Sequence, residues 1–344
     1  MRTTEWHEQV TEAIIEPHLP ICDPHHHLWD TTGASHHPAH RYLLDELLAD
    51  TGSGHNVVAT VFMECMAMYR CDGPKALRPV GETEFANGVA AMCASGMYGA
   101  IRACAAIVGF ADLNLGAAVG PVLDAHAAAS DRFRGIRHAC AWDPSSAVKG
   151  SHTNPTERML ADKTFREGFA ELGQRGMTFD AWLYHPQIPE LTELARAFPE
   201  QPIIFDHFGG VLGIGPYAGQ REAILRYWKK AVAELATCPN VYPKLGGLVM
   251  PVNGFGFHKA DKPPTSEQLA AVTRDYYLHM IDLFGTDRCM FESNFPVDKR
   301  SCSYAVLWNS FKRIAEGCSA EEKAALFHDN AARIYSVCSG MGVP

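Results

Sequence analysis

The chain of 344 residues carries a formal net charge of -9, with 47% hydrophobic and 20% charged residues. That balance is the one found in ordinary globular proteins and argues against disorder and against a membrane. Acidic groups are scattered along the chain with no Lys and Arg cluster, which argues against a nucleic-acid partner, because phosphate binding needs concentrated positive charge.

The opening MRTTEWHEQV has no positively charged stretch leading into an apolar run, and no segment reaches the roughly 18 apolar residues of a membrane span. A cytoplasmic location is expected. The 11 cysteines show no CxxC spacing, and Cys65, Cys104 and Cys140 sit in apolar runs, so reduced buried thiols are expected rather than a disulfide framework.

Taken in chain order, β-rich runs recur at 20–27, 57–65, 103–110, 133–140, 177–184, 202–206, 241–246 and 288–294. Between most of them lie segments with apolar residues at i, i+3, i+4 and i+7: YLLDELLAD, GPVLDAHAAA, LADKTFREGFAELGQRG, IPELTELARAF, REAILRYWKKAVAELA and QLAAVTRDYYLHMIDLFG. Alternating strands and helices imply a parallel sheet. Such units in this number close most economically into a barrel, so the expected fold is α/β, a single-domain (β/α)8 TIM barrel over residues 1–344. Irregular stretches at 30–40, 141–155 and 249–265 each follow an expected strand and are read as βα loops around a substrate pocket. The tail SAEEKAALFHDNAARIYSV is a further amphipathic helix, with Ser319 and Glu322 forming a capping box, expected to pack outside the barrel.

The first strand ends in Asp23-Pro24-His25-His26-His27. A strand period of two puts His25 and His27 on one face and His26 on the other, where a structural role is expected. Two imidazoles at the carboxyl end of a barrel strand can hold a divalent metal, or act as a hydrogen-bonding and proton-transfer pair without one. A His-rich turn with no function is the plainer alternative. GxGxxG, GxxxxGK[ST] and GxSxG are all missing, which argues against nucleotide cofactors and serine catalysis.

ICDPHHHLWD, IIFDHFGG (203–210) and MFESNFPVD (290–298) together resemble the amidohydrolase-2 group of the amidohydrolase superfamily. The likeness extends to VFMECMAMY, IVGFADL, RGIRH, FDAWLYHPQ, KLGGL and NAARIY, and so covers nearly the whole chain. Sugar-lactone and 2-pyrone-4,6-dicarboxylate lactonases are the members most similar in pattern, and more distant ones decarboxylate or hydrate unsaturated acids. The resemblance implies hydrolysis of a lactone of a small carboxylic or sugar acid. The alternatives are a metal-dependent decarboxylase or hydratase, or a catalytically impaired barrel that only binds a ligand.

Carried over by position, His25, His27 and His207 are the catalytic histidines and the metal set if a metal binds, with Asp206 fixing His207. Gly209 and Gly210 allow close backbone approach there. Zinc or manganese is the implied ion, and metal-independent catalysis stays open. Where the family carries Ser-Asp-x-Pro, this chain has Ser293-Asn294, and an amide takes no proton at neutral pH. A base must therefore lie elsewhere. Asp298 is favoured over Glu292 and Glu64 because a loop residue reaches the pocket more easily. Arg137, His138, Tyr184, His185, Gln187 and Lys244 lie near strand ends and are candidate substrate contacts for a carboxylate or polarised carbonyl. Aromatic walls could come from Trp29, Tyr42, Tyr69, Trp142, Tyr184 and Phe295, although packing is their commoner role. A small-molecule substrate and a homodimer are the expected partners.

Overall fold

The computed structural model describes residues 3–32 and 40–337, so the middle of the loop expected at 30–40 lies outside the described residues. Eight strands follow one another around a single sheet in chain order: β1 (Pro20–His26), β2 (Asn56–Met63), β3 (Arg102–Gly109), β4 (Phe133–Arg137), β5 (Thr178–Ala181), β6 (Ile203–Phe205), β7 (Val241–Leu245) and β8 (Met290–Phe291). Every neighbouring pair is parallel. The end of the sheet returns to its beginning: the amide of His27 donates to the Phe295 carbonyl at 2.8 Å and that of Asn294 to the His25 carbonyl at 3.0 Å. This is the expected TIM barrel.

A helix follows each strand: α1 (Leu44–Thr51), α2 (Val80–Ala94), α3 (Gly120–Ala129), α4 (Lys163–Gln174), α5 (Ile188–Ala197), α6 (Arg221–Ala236), α7 (Ser266–Phe284) and α8 (Tyr304–Ile314). Their apolar faces cover the outside of the sheet. Phe165 and Phe169 of α4, for example, set their rings 6.2 and 5.1 Å from that of Phe179 on β5. Each such fully buried ring contributes about 1.5–3 kcal/mol. The sequence pattern does not show α2 and α8. On α2, Glu82 and Thr83 are buried beside Val80, Ala86 and Val89, which blurs the apolar stripe. Glu82 is there to accept from the Cys65 and Ala67 amides at 2.9 and 2.8 Å. α8 is buried nearly all round and so has no polar face to set a period.

The tail corrects the expectation made for it. Its capping box forms, with the Ser319 amide donating to Glu322 Oε2 at 2.7 Å and the Glu322 amide to Ser319 Oγ at 3.2 Å. The helix then widens into a π turn at Ala325–Asp329, and its end does not stay outside. Ala331 and Tyr335 pack with Cys22, Val61, Val108, Ile204 and Met290, the inward residues of the strands. Small inward side chains such as Ala59 and Ala106 leave space for the Tyr335 ring. Among the described residues, no helix is long and apolar enough to cross a membrane, and the ten cysteines there are free thiols.

Candidate active site

The period of two along β1 sorts the three histidines as expected. His26 leaves the site and meets Thr60 Oγ1 at 2.8 Å with Nε2. His25 and His27 bring their Nε2 atoms to 3.3 Å. His27 Nδ1 lies 2.9 Å from the Met63 carbonyl, so that nitrogen carries the proton and Nε2 presents its lone pair. His207 joins them after β6, its ring centroid 4.5 Å from that of His25. Its backbone is left-handed, φ 54, and so is that of Gly210, φ 48, where a Cβ would lie 2.7 Å from the Leu183 carbonyl oxygen.

Glu292 stands between the rings, with Oε2 2.8 Å from His25 Nδ1 and Oε1 2.6 Å from His207 Nδ1. Two fixed cations complete the cluster. Arg137 from β4 places Nη1 3.2 Å from His25 Nε2 and donates from Nε to Glu64 Oε1 at 2.7 Å. Lys244 from β7 places Nζ 3.4 Å from His25 Nδ1, 2.7 Å from Asp180 Oδ1 and 3.4 Å from Asp206 Oδ1. Beneath them Tyr335 donates to Asp180 Oδ1 at 2.5 Å, so the tail helix forms the floor of the site.

Burial dominates the electrostatics. It holds His25 and His27 well below the usual imidazole range, helped for His25 by Lys244 and for His27 by Arg137. It pushes Glu292 up to about 8 against the opposing pull of Lys244, and raises Asp206 as well. Burial would also raise Glu64, but Arg137 and His152 outweigh it and hold that carboxylate low.

The donor set fits a divalent cation. The ligand atoms of His25, His207 and Glu292 lie within 4.8 Å of one another, a two-histidine, one-carboxylate group of the kind that binds zinc. The 3.3 Å between the Nε2 atoms of His25 and His27 is also close to the separation of two nitrogens about 2.1 Å from a shared tetrahedral ion. The buried Asp206 Oδ2 lacks a hydrogen-bond donor among the described residues. Four carboxylates, Glu64, Asp180, Asp206 and Glu292, face two cations, Arg137 and Lys244, so a divalent ion would balance the cluster when all are ionised.

The remaining expected residues divide. The Asn294 side chain is buried beside the Asp298 carboxyl. Asp298 begins a short turn and is fully buried, which pushes its carboxyl well above the usual range, with the charge of Glu292 adding to the effect. His138 is turned away from Arg137 by the strand alternation. Its Nδ1 accepts from the Leu113 amide at 3.2 Å and its ring packs on Phe110 and Phe165. His185 Nδ1 accepts from the Leu212 amide at 3.2 Å. Gln187 donates to the Cys140 carbonyl at 2.8 Å and accepts from the Trp142 amide at 3.0 Å, while the Tyr184 hydroxyl donates to the Lys149 carbonyl at 2.6 Å. These three brace loops. Asp180 and His152 are site residues beyond those expected from the sequence: the alternation in FDAW points Asp180 inward, whereas a histidine in an irregular loop offers no periodic signal.

A barrel with imidazoles, carboxylates and fixed cations gathered at the carboxyl ends of its strands has the layout of a TIM-barrel enzyme. The chain belongs to the amidohydrolase family Amidohydro_2, whose model matches residues 22–337. It is 36% identical to the uncharacterized protein y4mH of Sinorhizobium fredii, over 93% of this chain and 99% of that one. It is 27% identical to an L-fucono-1,5-lactonase of Burkholderia multivorans, over 68% and 72% of the two chains. A crystal structure of an amidohydrolase from Burkholderia multivorans with bound zinc superimposes with a TM-score of 0.67 at 24% identity, covering 92% of this chain and 99% of that one.

Proposed function

We propose that the protein hydrolyses a lactone of a small carboxylic or sugar acid. The observation that carries this reading is the convergence of His25, His27 and His207 with Arg137 and Lys244 around one buried point. Fixed cations and imidazoles placed where a carbonyl oxygen gains negative charge stabilise the tetrahedral intermediate of acyl transfer without reorganising. The family match and the likeness to a lactonase support an ester as the bond broken. His25, His207 and Glu292, with His27 at the edge, would hold a divalent ion, which when bound would supply Lewis-acid polarisation of the carbonyl. Arg137 and Lys244 orient the substrate, and Asp180 and Asp206 keep Lys244 charged.

The test is elemental analysis of the purified protein together with turnover of a panel of sugar and aromatic-acid lactones before and after chelation. Stoichiometric zinc or manganese with chelator-sensitive lactone opening is expected. Release of carbon dioxide from an unsaturated acid, with every lactone left intact, would overturn the reading in favour of a decarboxylase.

A further inference from the structure

With Asn294 unable to accept a proton, hydrolysis at this site requires another group to take one from water, and the carboxylates of the cluster are poorly placed to do so. Both oxygens of Glu292 face imidazoles, the oxygens of Glu64 are taken by Arg137 and His152, Asp180 and Asp206 are fully buried against Lys244, and Asp298 outside the cluster is fully buried as well. His152 differs from all of these. It sits on the loop after β4, its side chain is 31% exposed, and its Nε2 lies 3.0 Å from Glu64 Oε2, a carboxylate oxygen at 0% exposure. A carboxylate only accepts, so Nε2 carries the proton in this bond and Nδ1 presents a lone pair, for which the described residues offer no partner.

The loop is pinned in this position. The Ser151 amide donates to the Ala141 carbonyl at 3.0 Å, Thr153 donates to the Ala139 carbonyl, and Tyr184 holds the Lys149 carbonyl. Together with Trp142, Lys149, Ser151 and Asn154, His152 lines an open cavity of about 600 Å³. From His152 the contacts run inward through Glu64 and Arg137 to His25. A buried carboxylate fixing one nitrogen of a part-exposed imidazole that lines an open cavity is an arrangement suited to a general base.

We propose that His152, oriented by Glu64, is the proton-transferring residue of the reaction and that the cavity its loop lines admits the lactone and the attacking water. This rests on the hydrolytic reading given above. The oxygen of water bonds to the lactone carbonyl carbon as one of its protons passes to His152 Nδ1. The bond from that carbon to the ring oxygen then breaks, and the same proton moves from Nδ1 to the departing oxygen. His152 returns to its neutral form, and the new carboxylic acid releases its proton to solvent.

The experiment compares the full-length wild type with His152→Gln, whose amide can still donate to Glu64, and with His152→Ala, on the lactone that the panel identifies. A loss of about 10²–10³-fold in kcat is expected for both, with KM within about threefold, and added imidazole should restore part of the turnover of the Ala variant. A kcat within about threefold of wild type, or a loss confined to KM, overturns the proposal. Nitrogen NMR of the His152 ring in the wild-type protein is the second arm, with the Nε2–H tautomer expected. If no lactone is opened, the hydrolytic reading falls by itself, and this arm still decides the pair: the Nε2–H tautomer upholds it and the Nδ1–H tautomer overturns it.

Discussion

Asn294 shows how one atom changes what the cluster can do. Its backbone N–H donates to the His25 carbonyl at 3.0 Å and its backbone is left-handed, φ 54, a conformation that Asn and Asp tolerate better than most residues. Asn294→Asp should therefore be accommodated by the backbone. It would add a carboxylate beside Glu292 and Asp298, both of which burial already pushes up. More clustered negative charge means tighter cation binding and a less stable cation-free protein. Asn294→Asp should bind zinc on the order of tenfold more tightly than wild type and unfold at lower temperature after chelation. Calorimetric titration with zinc, paired with melting curves in chelator, reads both effects; equal affinities would show that this position lies beyond the reach of the ion.

The geometry of the site depends on where strands stop as much as on the residues they carry. β7 ends at Leu245 and β8 pairs with it only through Met290 and Phe291, after which both chains leave the ladder and press against the imidazoles. A Cβ on Gly247, whose φ is 72, would lie 2.3 Å from His207 Nδ1. Gly247→Ala should thus displace His207 from Glu292 while leaving the barrel walls intact. Since misplacement of a reacting group by about 1 Å costs on the order of 10²-fold, a loss of at least that size is expected, with an unchanged far-ultraviolet circular dichroism spectrum. Full activity would mean that the His207 to Glu292 contact is dispensable. This dependence on strand ends also explains what could be read in advance. Periods of two and 3.6 disclosed all the strands, most of the helices and the facing pair His25 and His27. They could not disclose α8, which has no polar face, or the inward turn of Tyr335, which reads as ordinary amphipathic periodicity. His138, His185 and Gln187 looked like site residues because nearness to a strand end was the only criterion available, and their direction is set by alternation and loop closure. Glu292 is the reverse case: its place in the strand suggests a side chain too deep for the pocket, yet it reaches two imidazoles because the β8 ladder is so short.

Across the whole barrel, a buried histidine that bears on stability lies apart from the histidine cluster. Away from the site, just before β2, His55 is buried with Nε2 3.1 Å from the Ala305 carbonyl and Nδ1 3.0 Å from Lys312 Nζ, which itself donates to the Glu16 carbonyl at 2.9 Å. Burial holds His55 down at about 4, with Lys312 contributing, and brings Lys312 down to about 8. The unfolded imidazole titrates near about 6.5, so between that value and about 4 the unfolded chain binds a proton that the folded one refuses. The stability His55 contributes is therefore whole above about 6.5 and is lost as pH falls toward about 4. Replacing it by Asn removes the titration, so the advantage of wild type over His55→Asn should shrink on going from pH 7.5 to pH 5, by about 1–2 kcal/mol. Urea unfolding of both proteins at the two pH values gives the difference directly. A gap that stays constant or widens would show that His55 is protonated in the folded state. Because neither Lys312 nor His55 contacts the histidine cluster, His55→Asn should leave the pH profile of lactone opening unchanged even as the stability profile shifts, which separates a proton that holds the fold together from one that takes part in the chemistry.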